Sequence, residues 1–227
     1  MPAAAAGVTF AQYNQTDGTD QQWSISVAGG TTTISADGTV DFLFSGVPGA
    51  PSGQLPATFA LSAMSSTAGT TNGNAYSEAG FSGTFSFTDT ALPSGEQNLL
   101  SGTFQVIDTG AQFNESIGGT GGGFGASATA IDLNQLVLTS SYINFAGQTA
   151  QTSTFTLSSL NPSFTAGGTP DLPLGGPYSA AGDGTFSSQP GFAPEPGTFG
   201  LAIGSLLIGI GVVGRRKLFR SEDASSV

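Results

Sequence analysis

From Tyr13 to about Phe164 apolar and polar side chains alternate in short runs broken by Gly, Pro, Asn and Asp. That is the period-two signature of strands with one buried face. Trp23, Ile25 and Val27 fall on one side, Gln22, Ser24 and Ser26 on the other, and Gly29-Gly30 then turns the chain. Asp37-Gly38, between Thr31–Ala36 and Thr39–Ser45, predicts a type I′ turn because both residues accept positive φ. Val40, Phe42 and Phe44 give the following strand its apolar face. Ala57, Phe59, Leu61 and Ala63 form the next set, a small-residue loop covers Ser65–Asn74, and Phe81, Phe85 and Phe87 share a face beyond it. The phrase Ser82-Gly83-Thr84-Phe85-Ser86-Phe87-Thr88-Asp89-Thr90 recurs nineteen residues later as Ser101-Gly102-Thr103-Phe104-Gln105-Val106-Ile107-Asp108-Thr109. Two copies are too few for a stacked solenoid, so they predict two meander strands with equivalent facing. Ile117–Gly125, a Gly-rich turn, then Ile131–Leu138, Tyr142–Phe145 and Thr154–Leu157 complete the series. No stretch carries a capped 3.6-residue period. The pattern predicts an all-β chain: a single antiparallel β-sandwich or barrel-like body over residues 13–165.

Outside that body the pattern changes. Residues 1–12 are small and irregular; Ala4 and Ala6 have the spacing of an Ala-x-Ala cleavage site, so the segment reads as the remnant of a signal peptide or as a frayed terminus. Residues 166–193 lose hydrophobic periodicity to Gly, Pro and Ser, which predicts a linker, although Gly184-Thr185-Phe186 could add one terminal strand. Gly197–Gly214 is an uncharged apolar run. At ~1.5 Å per residue its 18 residues reach about 27 Å, close to a ~30 Å hydrocarbon core, so a single transmembrane helix is expected over 197–214. Its six glycines are tolerated in lipid, where no solvent competes for the backbone.

Charge sharpens this organisation. The chain has 4 Lys and Arg and 15 Asp and Glu, and no His or Cys. Every cation follows the apolar run, at Arg215, Arg216, Lys217 and Arg220, so residues 1–214 hold none. Arg215-Arg216-Lys217 is expected to stop transfer and stay cytoplasmic with the tail 218–227. A body with no cation cannot neutralise phosphates, which excludes nucleic acid as a partner. Without Cys there are no disulfides or thiolate metal sites, and without His the commonest general base is gone.

Pro194-Glu195-Pro196, the Gly/Leu/Ile span and the Arg-Arg-Lys stop, in that order, resemble a PEP-CTERM sorting signal, a motif also labelled ice-binding protein C-terminal domain. The resemblance covers 194–217 and implies bacterial export, transient anchoring in the inner membrane and cleavage near Pro194, Glu195 and Pro196 by an exosortase-type enzyme. It further implies delivery to the cell surface or an exopolysaccharide matrix. The tail of 218–227 departs from the pattern, whose members usually stop soon after the basic cluster. The body is similar to uncharacterised β-rich ectodomains attached to such signals.

The chemistry left to the body is narrow. With no His, and with the sole Lys behind the span, no Ser-His or Ser-Lys nucleophile can form. Two carboxylates suffice for glycoside hydrolysis, and Glu78, Asp89, Glu96, Asp108 and Glu115 are the central candidates for that rival reading. Asp89 and Asp108 end the repeated phrase, which a strand-terminal turn explains equally. Asp17-Gly18-Thr19-Asp20 lacks the ligand density of a calcium loop and reads as a solvated turn. Gly118–Gly123 lacks the Lys-Ser/Thr ending of a P-loop and reads as a hairpin turn. A small carbohydrate-binding module would need exposed aromatic platforms, for which Tyr13, Trp23, Tyr76, Tyr142 and Tyr178 are available; Trp23, aligned with Ile25 and Val27, reads as core. Thr31-Thr32-Thr33 is too short for an ice-binding array. The leading expectation is an exported, non-enzymatic surface or matrix protein without cofactor, metal or catalytic residues.

Overall fold

The computed structural model describes residues 7–18, 20–105, 111–128, 135–148, 150–165 and 177–189, with side chains of 126–128 excepted. Twelve strands run in these residues: β1 Val8–Gln15, β2 Trp23–Ala28, β3 Thr31–Phe44, β4 Leu55–Ser65, β5 Thr70–Asn72, β6 Ala75–Thr88, β7 Asn98–Phe104, β8 Ala111–Ser116, β9 Gly122–Ala128, β10 Leu136–Thr139, β11 Ala150–Asn161 and β12 Tyr178–Gln189. Among the described residues there is no helix, and every pairing is antiparallel.

The pairings close on themselves. β3 pairs β4, β4 pairs β6, β6 pairs β7 and β8, β8 pairs β9, β9 pairs β11, and β11 pairs β12. β12 then pairs β1 through Gly184–Ser188 and β2 through Tyr178–Ala180, and both of those strands pair β3. The result is an up-and-down β-barrel. β1 and β2 share one position in the ring, interrupted by the excursion of residues 16–22. β7 and β8 likewise share the position beside β6.

Closure answers a problem posed by composition. Exposed strand edges are commonly guarded by Lys, and residues 1–214 have none. Asp41 and Asp89 do not guard an edge in its place: Asp41 lies inside the sheet, opposite both Pro56 and Asn14, and Asp89 initiates a turn. A ring leaves few edges to guard.

One face of each strand except the fully exposed β5 points inward, and aromatic rings fill the interior. Phe42, Phe59, Phe85, Phe87, Phe155 and Phe186 are buried, with Tyr13 and Trp23 among them. Phe59 and Phe87 stack at 4.7 Å with planes 10° apart, and Phe155 meets Trp23, Phe85 and Phe186 at 5.4–5.7 Å. An eight-position barrel is just wide enough for side chains to fill it. Ser and Thr dominate the outer face, the reverse of a lipid-facing barrel, whose exterior is an apolar band.

The alternating sets of Trp23, Val40, Ala57 and Phe81 are inward as predicted, and the repeated phrase does form adjacent strands with Phe85 and Phe104 both buried. Gly29-Gly30 is a two-residue hairpin turn with φ of 59° and 81°.

Four sequence expectations are corrected. Asp37-Gly38 is not a turn but the middle of the 14-residue β3, opposite Ala60 and Phe59. Here the outer partner of β3 changes from β2 to β1, and Gln22 crosses the gap: its backbone carbonyl accepts from the Asp37 N–H at 3.2 Å and its Nε2 donates to the Thr39 carbonyl at 3.1 Å. A Cβ on Gly38 would lie 2.2 Å from the Gln22 side chain, so this glycine serves close approach rather than a turn. The body starts at Val8, not at residue 13, since Phe10 and Ala11 are fully buried in β1. The expected linker contains β12, of which Tyr178, Ala180 and Phe186 are buried, so the fold continues to Gln189. The Ser65–Asn74 loop contains β5, joined to β6 through Gly73 at φ 60°.

The membrane-span expectation for 197–214, the sorting motif Pro194, Glu195 and Pro196, and the stop residues Arg215, Arg216 and Lys217 lie outside the described residues. Among the described residues no helix is long and apolar enough to cross a membrane.

Candidate functional site

The inward face is apolar along most of the barrel and turns polar at the mouth where β6 begins. Alternation on β8 places Ala111, Phe113 and Glu115 inward, and Glu115 stands directly opposite Tyr76 on β6. Glu78 lies two residues beyond Tyr76, opposite Phe113. Glu78 is buried, 1% exposed; Tyr76 Oη donates to its Oε2 at 2.7 Å and Thr32 Oγ1 donates to the same oxygen at 3.0 Å. Oε1 makes no hydrogen bond. Glu115 Oε1 accepts from the Ser116 N–H at 2.6 Å, and its Oε2 is buried without a hydrogen bond.

Both carboxyls are pushed above their ordinary range. For Glu78 the main cause is burial, partly offset by the hydrogen bonds from Tyr76 and Thr32; for Glu115 it is burial, offset by the Ser116 N–H. A carboxyl with a raised folded pKa costs nothing below its unfolded value near 4.3 and destabilises increasingly as pH rises through the folded value. Wild type is therefore expected to lose stability to urea as pH rises above about 4, and Glu78→Gln to lose less over the same rise. Parallel stability-versus-pH curves for the two proteins would contradict this.

The glycine run after β8 finds its reason here. A Cβ on Gly122 would lie 2.3 Å from Glu115 Oε2, and one on Gly119 2.5 Å from Oε1, so the turn folds over the carboxylate only because side chains are missing. The turn is tied down: Gly118 N–H donates to the Phe164 carbonyl at 2.8 Å and Phe164 N–H to the Gly119 carbonyl at 3.0 Å. A depression of about 440 Å³ opens beside it, lined by Thr70, Asn72, Tyr76, Asn114 and Glu115.

The other candidate acids sit elsewhere. Asp89 follows the far end of β6, eleven residues from Glu78, a separation of roughly 35 Å along an extended strand. Its Oδ1 accepts from the Ala91 N–H at 2.8 Å, so it initiates the β6–β7 turn. Glu96 belongs to the same turn, where it and Asp89 add to burial in raising the Tyr142 hydroxyl pKa. Asp108 and Thr19 lie outside the described residues. Glycosidase chemistry needs two carboxylates within about 10 Å flanking one open cleft. Glu115 lines the depression, while Glu78 is sealed beneath Tyr76 and Thr32 and does not.

The aromatic platforms are likewise committed to the interior. Tyr13, Trp23, Tyr76 and Tyr178 are each at most 3% exposed, and Tyr142 is half-buried against Phe44. Tyr178 Oη accepts from the Thr165 N–H at 3.0 Å and donates to the Thr165 carbonyl at 2.9 Å, closing the connection between β11 and β12. Stacking on an exposed ring is thus not available from these five residues.

No family model, curated protein or solved structure matches the chain.

Proposed function

We propose that this is an exported, non-enzymatic protein of the cell surface or extracellular matrix. It is sorted by its C-terminal segment and associated with exopolysaccharide. One observation carries the reading: all four cations follow an 18-residue uncharged run that Pro194-Glu195-Pro196 precedes, while the folded body has none. Apolar residues in that run can enter lipid, whereas Arg215, Arg216 and Lys217 are held at the cytoplasmic face. An exosortase-type protease acting near Pro194, Glu195 and Pro196 would then release the barrel outward. The barrel supports this destination in its chemistry, with a Ser- and Thr-rich outer face suited to a hydrated matrix.

The test is deletion of residues 194–227 in the native host, followed by fractionation. The full-length protein is expected first in the membrane fraction and then as a shorter mature form, and the truncated protein never in the membrane. Identical partitioning and maturation of the two would refute the proposal.

A further inference from the structure

The pairings of β2, β3, β4, β6 and β7 do more than build the wall. They bring Ser24, Ser35, Ser62, Thr84 and Thr103 into one line across five strands: Ser24 opposite Ser35, Ser35 opposite Ser62, Ser62 opposite Thr84, and Thr84 opposite Thr103. Neighbouring strands lie about 4.8 Å apart, so the row of hydroxyls runs for roughly 19 Å. A second row lies beside it, Asp37 opposite Ala60, Ala60 opposite Ser86, Ser86 opposite Ser101, and Ser101 opposite Thr139. Ala60 is the small residue in the middle, and the two rows border a groove of about 830 Å³ on the outer face.

The hydroxyls of Ser35, Ser62, Thr84 and Thr103 make no hydrogen bond among the described residues, whereas Ser101 is engaged by Asn98 and Thr139. The groove thus presents free hydroxyls that both donate and accept. We propose that it binds a strand of uncharged polysaccharide, hydroxyl to hydroxyl. This assignment rests on the matrix destination proposed above and names the surface through which the barrel would engage that matrix.

Charge and polarity select this occupant over others. A polyanionic glycan would meet Asp37 and a body without a single cation. A second copy of the chain on the same face would set Asp37 against an equally acidic surface, with no basic residue to pair it. A peptide would need apolar or aromatic anchors in a pocket; the groove's apolar lining besides Ala60 is Ala36, Leu61 and Phe85, each at most 5% exposed and committed to the interior. A neutral polyhydroxylated chain satisfies the hydroxyl rows and brings no charge.

The assay is native electrophoresis of the full chain in detergent, through gels containing dextran, laminarin or soluble starch, with alginate as the anionic comparison. At least one neutral polymer is expected to retard the protein, and alginate not. A combined Ser35→Ala, Ser62→Ala, Thr84→Val, Thr103→Val variant is expected to bind at least tenfold more weakly, each lost hydrogen bond being worth roughly fivefold. Thr154→Val with Thr185→Val, a cross-strand pair on another part of the outer face, is expected to leave binding unchanged. Thermal melts confirm that each variant is folded. The inference fails if no neutral polymer retards the chain, if alginate binds as well, if both variant sets behave alike, or if sedimentation shows a dimer that only the groove variant dissociates. None of these results depends on residues 194–227, so failure here with normal fractionation removes the groove and leaves the sorting proposal standing.

Discussion

Replacing Phe155 by Ala is expected to cost about 3–5 kcal/mol of folding stability, against a total of roughly 5–15 kcal/mol for a domain. The reason is position. Phe155 sits at the middle of the interior, fully buried, with ring centroids of Trp23, Phe85 and Phe186 at 5.4–5.7 Å and those of Tyr13, Phe59 and Phe124 at 6.0–6.1 Å. These neighbours belong to different strands around the ring, so no single strand can move inward to fill the void. The cost is therefore the transfer term plus nearly the whole cavity term. Urea titration is the appropriate measurement, and thermal unfolding should show a midpoint lower by about 10 °C. Phe155→Leu, which keeps most of the volume, should cost clearly less. A loss near 1 kcal/mol for the Ala variant would indicate an interior that relaxes freely, unlike the tightly filled barrel described here.

Much of this interior was legible because alternation is a local signal. Val40, Phe42 and Phe44, or Ala57, Phe59 and Leu61, declare an inward face without any knowledge of their partners. Features that depend on a partner were hidden. Asp37-Gly38 has the φ preferences of a turn, but the pairing of β3 with β4 along its length outweighs a local preference. β12 reads as a linker because its inward positions include Ala180, Gly182 and Gly184. A Cβ on Gly182 would lie 2.5 Å from Trp23 Nε1, and one on Gly184 2.6 Å from Tyr13 Cε1. The large residues of the neighbouring strand occupy the volume that β12 leaves empty, so a central strand has the composition of a spacer.

The polar mouth was half legible for the same kind of reason. Glu115 shares parity with Phe113 and Ala111, a sign of inward facing that the sequence already contained. Glu78 was obscured by the irregularity between Glu78 and Phe81, where Gly80 takes φ 79° and shifts the alternation so that Tyr76 and Glu78 are in phase with Phe81 only across the bulge. The outer hydroxyl rows needed the register of five strands at once. No periodicity along one strand reveals which serine will stand beside which threonine.

Closure of the ring by β12 is the central claim, and two chain lengths test it directly. Without β12, β1, β2 and β11 lose their shared partner, and Tyr13, Trp23 and Phe155 lose the wall that Phe186 and the glycines provide. Calorimetry of residues 1–192 should show one cooperative transition, and residues 1–176 none, with the shorter chain exposing apolar surface and aggregating. Two equally cooperative transitions at the same temperature would mean that the body is complete by residue 165, that Tyr178–Gln189 is spacer after all, and that the barrel is not closed.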